Sequence, residues 1–307
     1  MLFNKFRNNS QRYHHIYFYN WWDGNIEDVW LYKFIVSRNL NTSRKPINFI
    51  SVFGDKKIIN KIKEGHQIFY TGENIHSQFH LQYSDYLLNN QNIDLALGFD
   101  YFENPRYIRF PLWIQYILPP NATDEEIVAR CQELRHPDIS KKSKFASIIA
   151  RYDWDGRRKQ IYDRLNKVGD ISCPSAMFHN DDSLKTIFND NKIEYLQQFW
   201  FNICPENSNS YGYVTEKIFE AIESGCIPIY WGSYNKPEEG ILNKDAMILW
   251  DMQSDNTENI KLIQYLIADP NRLKDFCSQP RLMNGAEDII IETINKLKKK
   301  ILTIIND

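Results

Sequence analysis

Between residues 199 and 233 the chain reads FWFNICPENSNSYGYVTEKIFEAIESGCIPIYWGS. This stretch restricts the fold more than any other. Residues 199–203 are an aromatic and β-branched run, the length of a buried strand. A polar loop follows at 205–212. Residues 214–224 have helical spacing, with Ile218, Ala221 and Ile222 on one face and Glu220 and Glu223 off it. Gly225 stands where a glycine ends a helix. A second buried strand runs over 226–231. Strand, loop, helix, strand is a βαβ unit, so its strands are expected parallel and its crossover right-handed.

Ligands of such units gather at the carboxyl ends of the strands, beside the helix N-terminus. Free N–H groups and the positive end of the dipole suit a phosphate there. Tyr213, Thr215, Glu216 and Lys217 cluster at that end. A lysine in the first turn opposes the dipole, and local conflicts of this kind mark functional sites. A solvated Glu–Lys pair is the ordinary alternative, and pattern does not choose between them.

The run Tyr211-Gly212-Tyr213-Val214-Thr215-Glu216-Lys217-Ile218, with Gly225-Cys226-Ile227-Pro228-Ile229-Tyr230-Trp231-Gly232-Ser233 after it, resembles the donor-site signature of the α-1,3/4-fucosyltransferases of glycosyltransferase family 10. The resemblance implies an α/β GT-B fold, two Rossmann-like domains facing across a cleft. It implies GDP-fucose as donor and an acceptor oligosaccharide or glycoconjugate as partner.

A chain of 307 residues suits two domains. Its net charge of −2 leaves no basic field for nucleic acid. Cys131, Cys173, Cys204, Cys226 and Cys277 are scattered without a C-x-x-C pair, which argues for a reducing compartment. Sequons begin at Asn8, Asn41 and Asn121, and chance explains them in a chain this rich in asparagine. No leader peptide or run of eighteen apolar residues is visible. The chain therefore resembles the anchorless bacterial enzymes, with a cytoplasmic location expected. G-x-G-x-x-G, the P-loop motif, H-E-x-x-H and the nucleophile elbow are all lacking.

The first half alternates strands (13–19, 46–53, 67–71, 93–97) with helical segments (26–38, 56–64, 80–88), as in a mostly parallel α/β domain. Trp30, Leu31, Phe34 and Ile35 are expected inward. Asn20-Trp21-Trp22 after the first strand matches the family. So do Phe69-Tyr70-Thr71-Gly72-Glu73-Asn74, the segment 93–100 and Arg106-Tyr107-Ile108-Arg109-Phe110-Pro111. The family takes the glutamate of its Gly-Glu-Asn turn as general base, which here is Glu73. A tight turn past a strand's carboxyl end does project a carboxylate where it can accept a hydroxyl proton. A turn or capping role is the ordinary reading of that residue. Trp21, Trp22, Asn74 and Arg109 are the acceptor-side candidates of the resemblance.

The expected domains are 1–140 for the acceptor, 141–285 for the nucleotide sugar, and 286–307 as an amphipathic terminal helix. Residues 124–135 read as a helix with a Thr123/Glu126 capping box, followed by a basic linker. The second domain opens with a strand at 145–150 and a helix at 157–165. The family's diphosphate-facing arginine maps to Arg158, with Arg157 beside it as the alternative. An arginine fork suits phosphate oxygens. Asp153-Trp154-Asp155 has the D-x-D form of metal-dependent transferases but is read as a loop, and no metal is expected. Residues 172–183 depart from the glycine-rich pattern of the relatives. A strand at 246–250 and a helix at 256–268 complete this half. In the terminal helix Ile290, Ile294, Leu297, Ile301 and Ile304 form a stripe beside Lys296, Lys298, Lys299 and Lys300. Peripheral membrane contact is one reading, and packing of the stripe onto the protein is the preferred one.

The expected chemistry is an inverting transfer. Arg158 and Lys217 neutralise the departing diphosphate, Asn207 and Tyr213 add hydrogen bonds to phosphate or ribose, Glu216 accepts from ribose hydroxyls, and Glu73 deprotonates the acceptor. The rivals are a GT-B enzyme using another nucleotide sugar and a non-catalytic glycan-binding relative.

Overall fold

The computed structural model describes residues 15–22, 24–40 and 44–306. Tyr13 and the sequons at Asn8 and Asn41 lie outside the described residues. The chain forms two compact units. One runs to Ile127 and includes the chain again from Ile289, and the other is Val128–Asp288.

The first unit holds β1 (Ile16–Tyr19), β2 (Ile47–Ile50), β3 (His66–Tyr70), β4 (Leu95–Gly98) and β5 (Tyr107–Arg109). They form one five-stranded parallel sheet in chain order. Every residue of β2 and β4 is buried, as strands covered on both faces require. Between β1 and β2 the expected single helix is broken. Asn25 caps a 3₁₀ turn at Ile26–Asp28, Val29 is extended, and α1 (Trp30–Ser37) restarts after it. Trp30, Leu31, Phe34 and Ile35 are buried, as their spacing predicts. A 3₁₀ turn at Lys56–Lys61 joins β2 to β3. Another at Leu81–Tyr83 and α2 (Asp85–Leu88) join β3 to β4. After β5 come α3 (Trp113–Ile117) and α4 (Asp124–Arg135). The capping box forms: Thr123 N–H donates to Glu126 at 2.8 Å and Glu126 N–H to Thr123 Oγ1 at 3.3 Å. The change of unit falls inside α4, ahead of the basic run.

The second unit runs β6 (Lys144–Ser147), α5 (Arg157–Leu165), β7 (Ile171–Ser172), α6 (Ser183–Thr186), α7 (Lys192–Leu196), β8 (Phe199–Ile203), α8 (Glu216–Glu223), β9 (Ile227–Tyr230), β10 (Ile248–Leu249), α9 (Thr257–Ile267) and α10 (Pro270–Ser278). Its sheet has the order β10-β9-β8-β6-β7, again all parallel. The chain winds from β6 outward to β7, then crosses to the other side of β6 for β8. Ala146, Phe201, Ile203, Ile227, Ile229 and Trp250 fill the core around this sheet.

The βαβ unit forms as its sequence requires. β8 pairs with β9 in parallel, with Phe201 opposite Ile227. Ile218, Ala221 and Ile222 are buried on α8. Gly225 ends that helix at φ +76°, with Cys226 N–H returning to Ala221 O at 2.9 Å. A Cβ on Gly225 would lie 2.4 Å from Asp138 O, so both conformation and space demand glycine.

The terminal helix α11 (Ala286–Asn306) begins in the second unit and belongs to the first from Ile289. Ile290, Ile294, Leu297, Ile301 and Ile304 are all buried, while Lys296, Lys298 and Lys299 are exposed. Packing onto the protein, the preferred expectation, takes up the apolar stripe, and nothing among the described residues supports membrane contact through it. Among the described residues no helix is long and apolar enough to cross a membrane.

Candidate active site

In the second sheet the winding reverses between β6 and β8. Open α/β sheets bind ligands at such a switch point, outside the carboxyl ends of the strands. A pocket of about 20 Å³ lies there, lined by Ala150 after β6, Asn202 and Pro205 at the end of β8, and Arg158, Lys217 and Glu220. It has room for about one water. Arg158 and Lys217 are each the second residue of the helix following their strand. The two diphosphate-facing candidates therefore share one lining, at two helix N-termini.

The Arg158 guanidinium donates through Nη2 to Asn207 Oδ1 at 2.7 Å and through Nη1 to the Tyr152 carbonyl. It thus ties the loop after β6 to the loop after β8. Burial lowers its pKa against the opposing charges of Asp153 and Asp155, and an arginine keeps its proton regardless. The D-x-D carboxylates serve this loop. Asp153 accepts from the N–H groups of Arg158 (3.1 Å) and Lys159 (2.9 Å), and Asp155 pairs with Arg157 at 2.6 Å. Arg157 itself lies over the Trp231 ring, 4.5 Å from its centroid, and is outside the pocket lining.

Lys217 finds its partners within the protein. Its Nζ lies 3.3 Å from Glu206, 3.4 Å from Glu216, and donates to Thr215 Oγ1 at 2.9 Å. Burial pulls the ammonium pKa down, but the two carboxylates outweigh it and hold it above its ordinary value. This resolves the oddity of a lysine in a first turn: two carboxylates, one from the preceding loop, balance its charge. Glu216 is held low, because Lys217 and the helix N–H groups overcome its burial.

Glu206 is the residue that sequence reasoning left in a polar loop. It is 3% exposed. It accepts from Thr215 N–H at 2.8 Å, from Thr215 Oγ1 at 2.7 Å and from Tyr230 Oη at 3.4 Å. Burial raises its pKa despite Lys217. Gly232, at φ +152°, makes room for it, since a Cβ there would stand 2.6 Å from Glu206 Cγ. No local sequence signal marks Glu206, because its role depends on burial. Tyr213 is 2% exposed and is not among the lining residues. The structure thus brings Arg158 and Lys217 to one pocket, with Asn207 bonded to the first and Glu216 paired with the second, while Asn207, Glu216 and Tyr213 are all outside the lining.

In the first unit Glu73 follows the carboxyl end of β3. Thr71 Oγ1 accepts from Glu73 N–H at 3.1 Å and donates to Glu73 O at 2.9 Å, closing a tight turn that leaves the carboxylate half-buried. Beside it Tyr70 is fully buried, and its hydroxyl has no hydrogen-bond partner among the described residues. Burial, then the nearby Tyr116 and Glu73, push its pKa well above the usual range. The Trp21 and Trp22 rings lie 5.6 and 5.9 Å from the Tyr70 ring, so Trp21, Trp22 and Glu73 converge around Tyr70. Asn74 is buried and accepts from His76 N–H at 3.0 Å, a turn contact. Arg109, on β5, lies over the Tyr101 ring at 4.1 Å. A pair absent from the sequence reading sits three residues past Glu73: His76 Nε2 and Asp100 Oδ1 are 2.7 Å apart.

Two family models match this chain. Alpha-(1,3)-fucosyltransferase FucT N-terminal domain matches residues 16–116. Glycosyltransferase family 10 (fucosyltransferase) C-term matches residues 139–280. The chain belongs to glycosyltransferase family 10. Its two parallel-sheet α/β units are those of the GT-B class. The alpha-(1,3)-fucosyltransferase FucT of Helicobacter pylori is 29% identical over a 299-position alignment that covers 83% of this chain and 58% of that protein. The family 10 chain thus spans under two thirds of that relative's length. Alpha-(1,3)-fucosyltransferase B of Drosophila melanogaster is 30% identical over 103 residues, 33% of this chain and 22% of its own. Crystal structures of an alpha1,3-fucosyltransferase with GDP-fucose and with GDP are each 25% identical to it. Each covers 94% of this chain and 89% of the solved one, with TM-scores of 0.58 and 0.61.

Proposed function

We propose that this family 10 chain transfers fucose from GDP-fucose to a hydroxyl of an acceptor glycan, with inversion at the anomeric carbon. One observation carries the reading: two cations, Arg158 and Lys217, line a single pocket at the switch point of the second sheet. In this reading the diphosphate lies against them. As the bond from C1 to the phosphate oxygen breaks, its electrons pass to a diphosphate that both cations stabilise, and no metal is required. Asn207 orients Arg158, Glu216 accepts from the ribose hydroxyls, and Tyr213 supports the loop ahead of α8. Glu73 takes the proton of the acceptor hydroxyl as that oxygen bonds to C1. Trp21, Trp22, Asn74 and Arg109 form the acceptor side of the same reading. The linkage proposed is α-1,3 to GlcNAc or Glc of a lactosamine-like oligosaccharide. The cytoplasm is the proposed setting, since the five cysteines are buried and free.

Release of GDP, or of the corresponding nucleotide, from a panel of sugar nucleotides with a lactosamine acceptor tests this. GDP-fucose is expected to be the preferred donor. Turnover with another sugar nucleotide alone would overturn the donor assignment. No release above background with any donor would favour a glycan-binding protein, and Glu73→Ala running at the wild-type rate would remove the base.

A further inference from the structure

The loop between β6 and α5 exposes two large aromatic side chains, Tyr152 at 57% and Trp154 at 78%. Their ring centroids are 5.3 Å apart and their planes differ by 31°, so they pack on each other as a tilted aromatic pair open to solvent. Apolar surface left in water forgoes the gain of burial, and a paired patch of it is informative where a scattered residue is not. The loop that carries this pair is well anchored. Asp153 between the two aromatics caps α5 through two N–H groups, and Asp155 holds Arg157. The Tyr152 carbonyl accepts directly from Arg158. The aspartates of the D-x-D sequence thus hold the loop, and the residue between them faces outward.

We propose that Tyr152 and Trp154 form a stacking shelf for the pyranose ring carried by the donor's β-phosphate. The proposal rests on the functional reading above, which sets the diphosphate between Arg158 and Lys217. The loop that carries the shelf is tied through the Tyr152 main-chain carbonyl to Arg158, which lines that pocket from α5. The α8 side carries Glu216 beside Lys217, a carboxylate suited to ribose hydroxyls. With the nucleoside toward α8, the sugar end of the molecule points to α5. A pyranose presents a face of C–H groups, widened by a methyl in a 6-deoxy sugar, and such a face packs on aromatic rings. The pyranose is one bond from the phosphate, so its place follows from the phosphate's.

Calorimetric titration of wild type, Tyr152→Ala and Trp154→Ala with GDP and with GDP-fucose tests the shelf. Both side chains are exposed, and unchanged melting temperatures would verify the fold. GDP should bind all three within about twofold, whereas GDP-fucose should bind each variant about tenfold more weakly than wild type. Trp154→Phe should keep most of the GDP-fucose affinity. Equal losses for GDP and GDP-fucose would assign the shelf to the guanine and overturn the proposal. Unchanged donor affinities with a raised acceptor KM would assign it to the acceptor and overturn it as well, as would no change in any constant. A wild type that binds neither ligand overturns the functional reading, and the shelf with it. A wild type that binds both, with variants to match, overturns the shelf alone.

Discussion

The two sheets have the same strand count and the same parallel pairing, but they are wound differently. In the first, the strands lie in chain order and the winding never reverses. In the second, β6 sits between β7 and β8, and the reversal opens a crevice at the strand ends. Arg158 and Lys217 meet in that crevice. Glu73 takes its position from a turn closed by Thr71. The candidate donor site is therefore a product of strand order, and the candidate base is a product of local turn chemistry. Their charges differ in the same way. Lys217 is interlocked with two carboxylates, one of them buried, whereas Glu73 is half-buried on a turn held by Thr71. Removing the first should disturb stability and catalysis together, and an isosteric change at the second should act on catalysis.

The largest effect is expected at Glu73. Glu73→Gln should lower turnover by about 10³-fold, the range of a general base, with melting temperature and GDP affinity unchanged. A loss of stability here would erase the contrast between the sites. Lys217→Ala should lower turnover on the order of 10²-fold. It should also cost about 3–5 kcal/mol in urea unfolding, because Glu206 would remain buried without its cation. Pairing Lys217→Met with Glu206→Gln should recover much of that stability without recovering activity. If the pair recovered both, the cation's role would be structural only. Arg158→Lys should weaken GDP binding roughly tenfold by calorimetry, since an ammonium cannot fork between Asn207 and a phosphate.

The smallest effect is a pH dependence in the first unit. The Asp100 hydrogen bond raises the His76 pKa against the opposing effect of burial. A histidine whose folded value lies above its unfolded value stabilises the fold fully below the unfolded value of 6.5. That contribution disappears as pH rises through the folded value. Wild type should thus exceed Asp100→Asn in urea midpoint most at acidic pH, with the gap closing toward alkaline pH. The His76 side chain is 40% exposed, so solvent screening keeps the gap small. A gap constant with pH would show that the pair acts by packing.

What could be read in advance follows from how local the cause is. The strand Phe199–Ile203 and the helices Asp124–Arg135 and Arg157–Leu165 have the bounds that pattern and capping predict. The short strands Tyr107–Arg109 and Ile171–Ser172 were not legible, because so few residues carry no period and only pairing with a neighbour makes them strands. The same holds for the brief helices Trp113–Ile117 and Lys192–Leu196. At the site, Lys217 stood out from its sequence because it opposes a helix dipole two residues away. Glu206 did not, since a glutamate in a Pro-Glu-Asn loop reads the same whether water or protein surrounds it. Asn74 and Tyr213 were picked out by motif, and only packing shows one in a turn contact and the other buried.

By itself the sequence determined the βαβ unit, its glycine stop, the capping box and the family signature. All of these rest on contacts within a few residues, or on residue order. Tertiary structure alone decided that Arg158 and Lys217 line one pocket, that Glu206 balances the lysine, and that the α11 stripe is buried. Those facts depend on which strands become neighbours and which surfaces lose water. Burial and Coulomb energy act through space, and spatial proximity between distant residues exists only once the chain has folded.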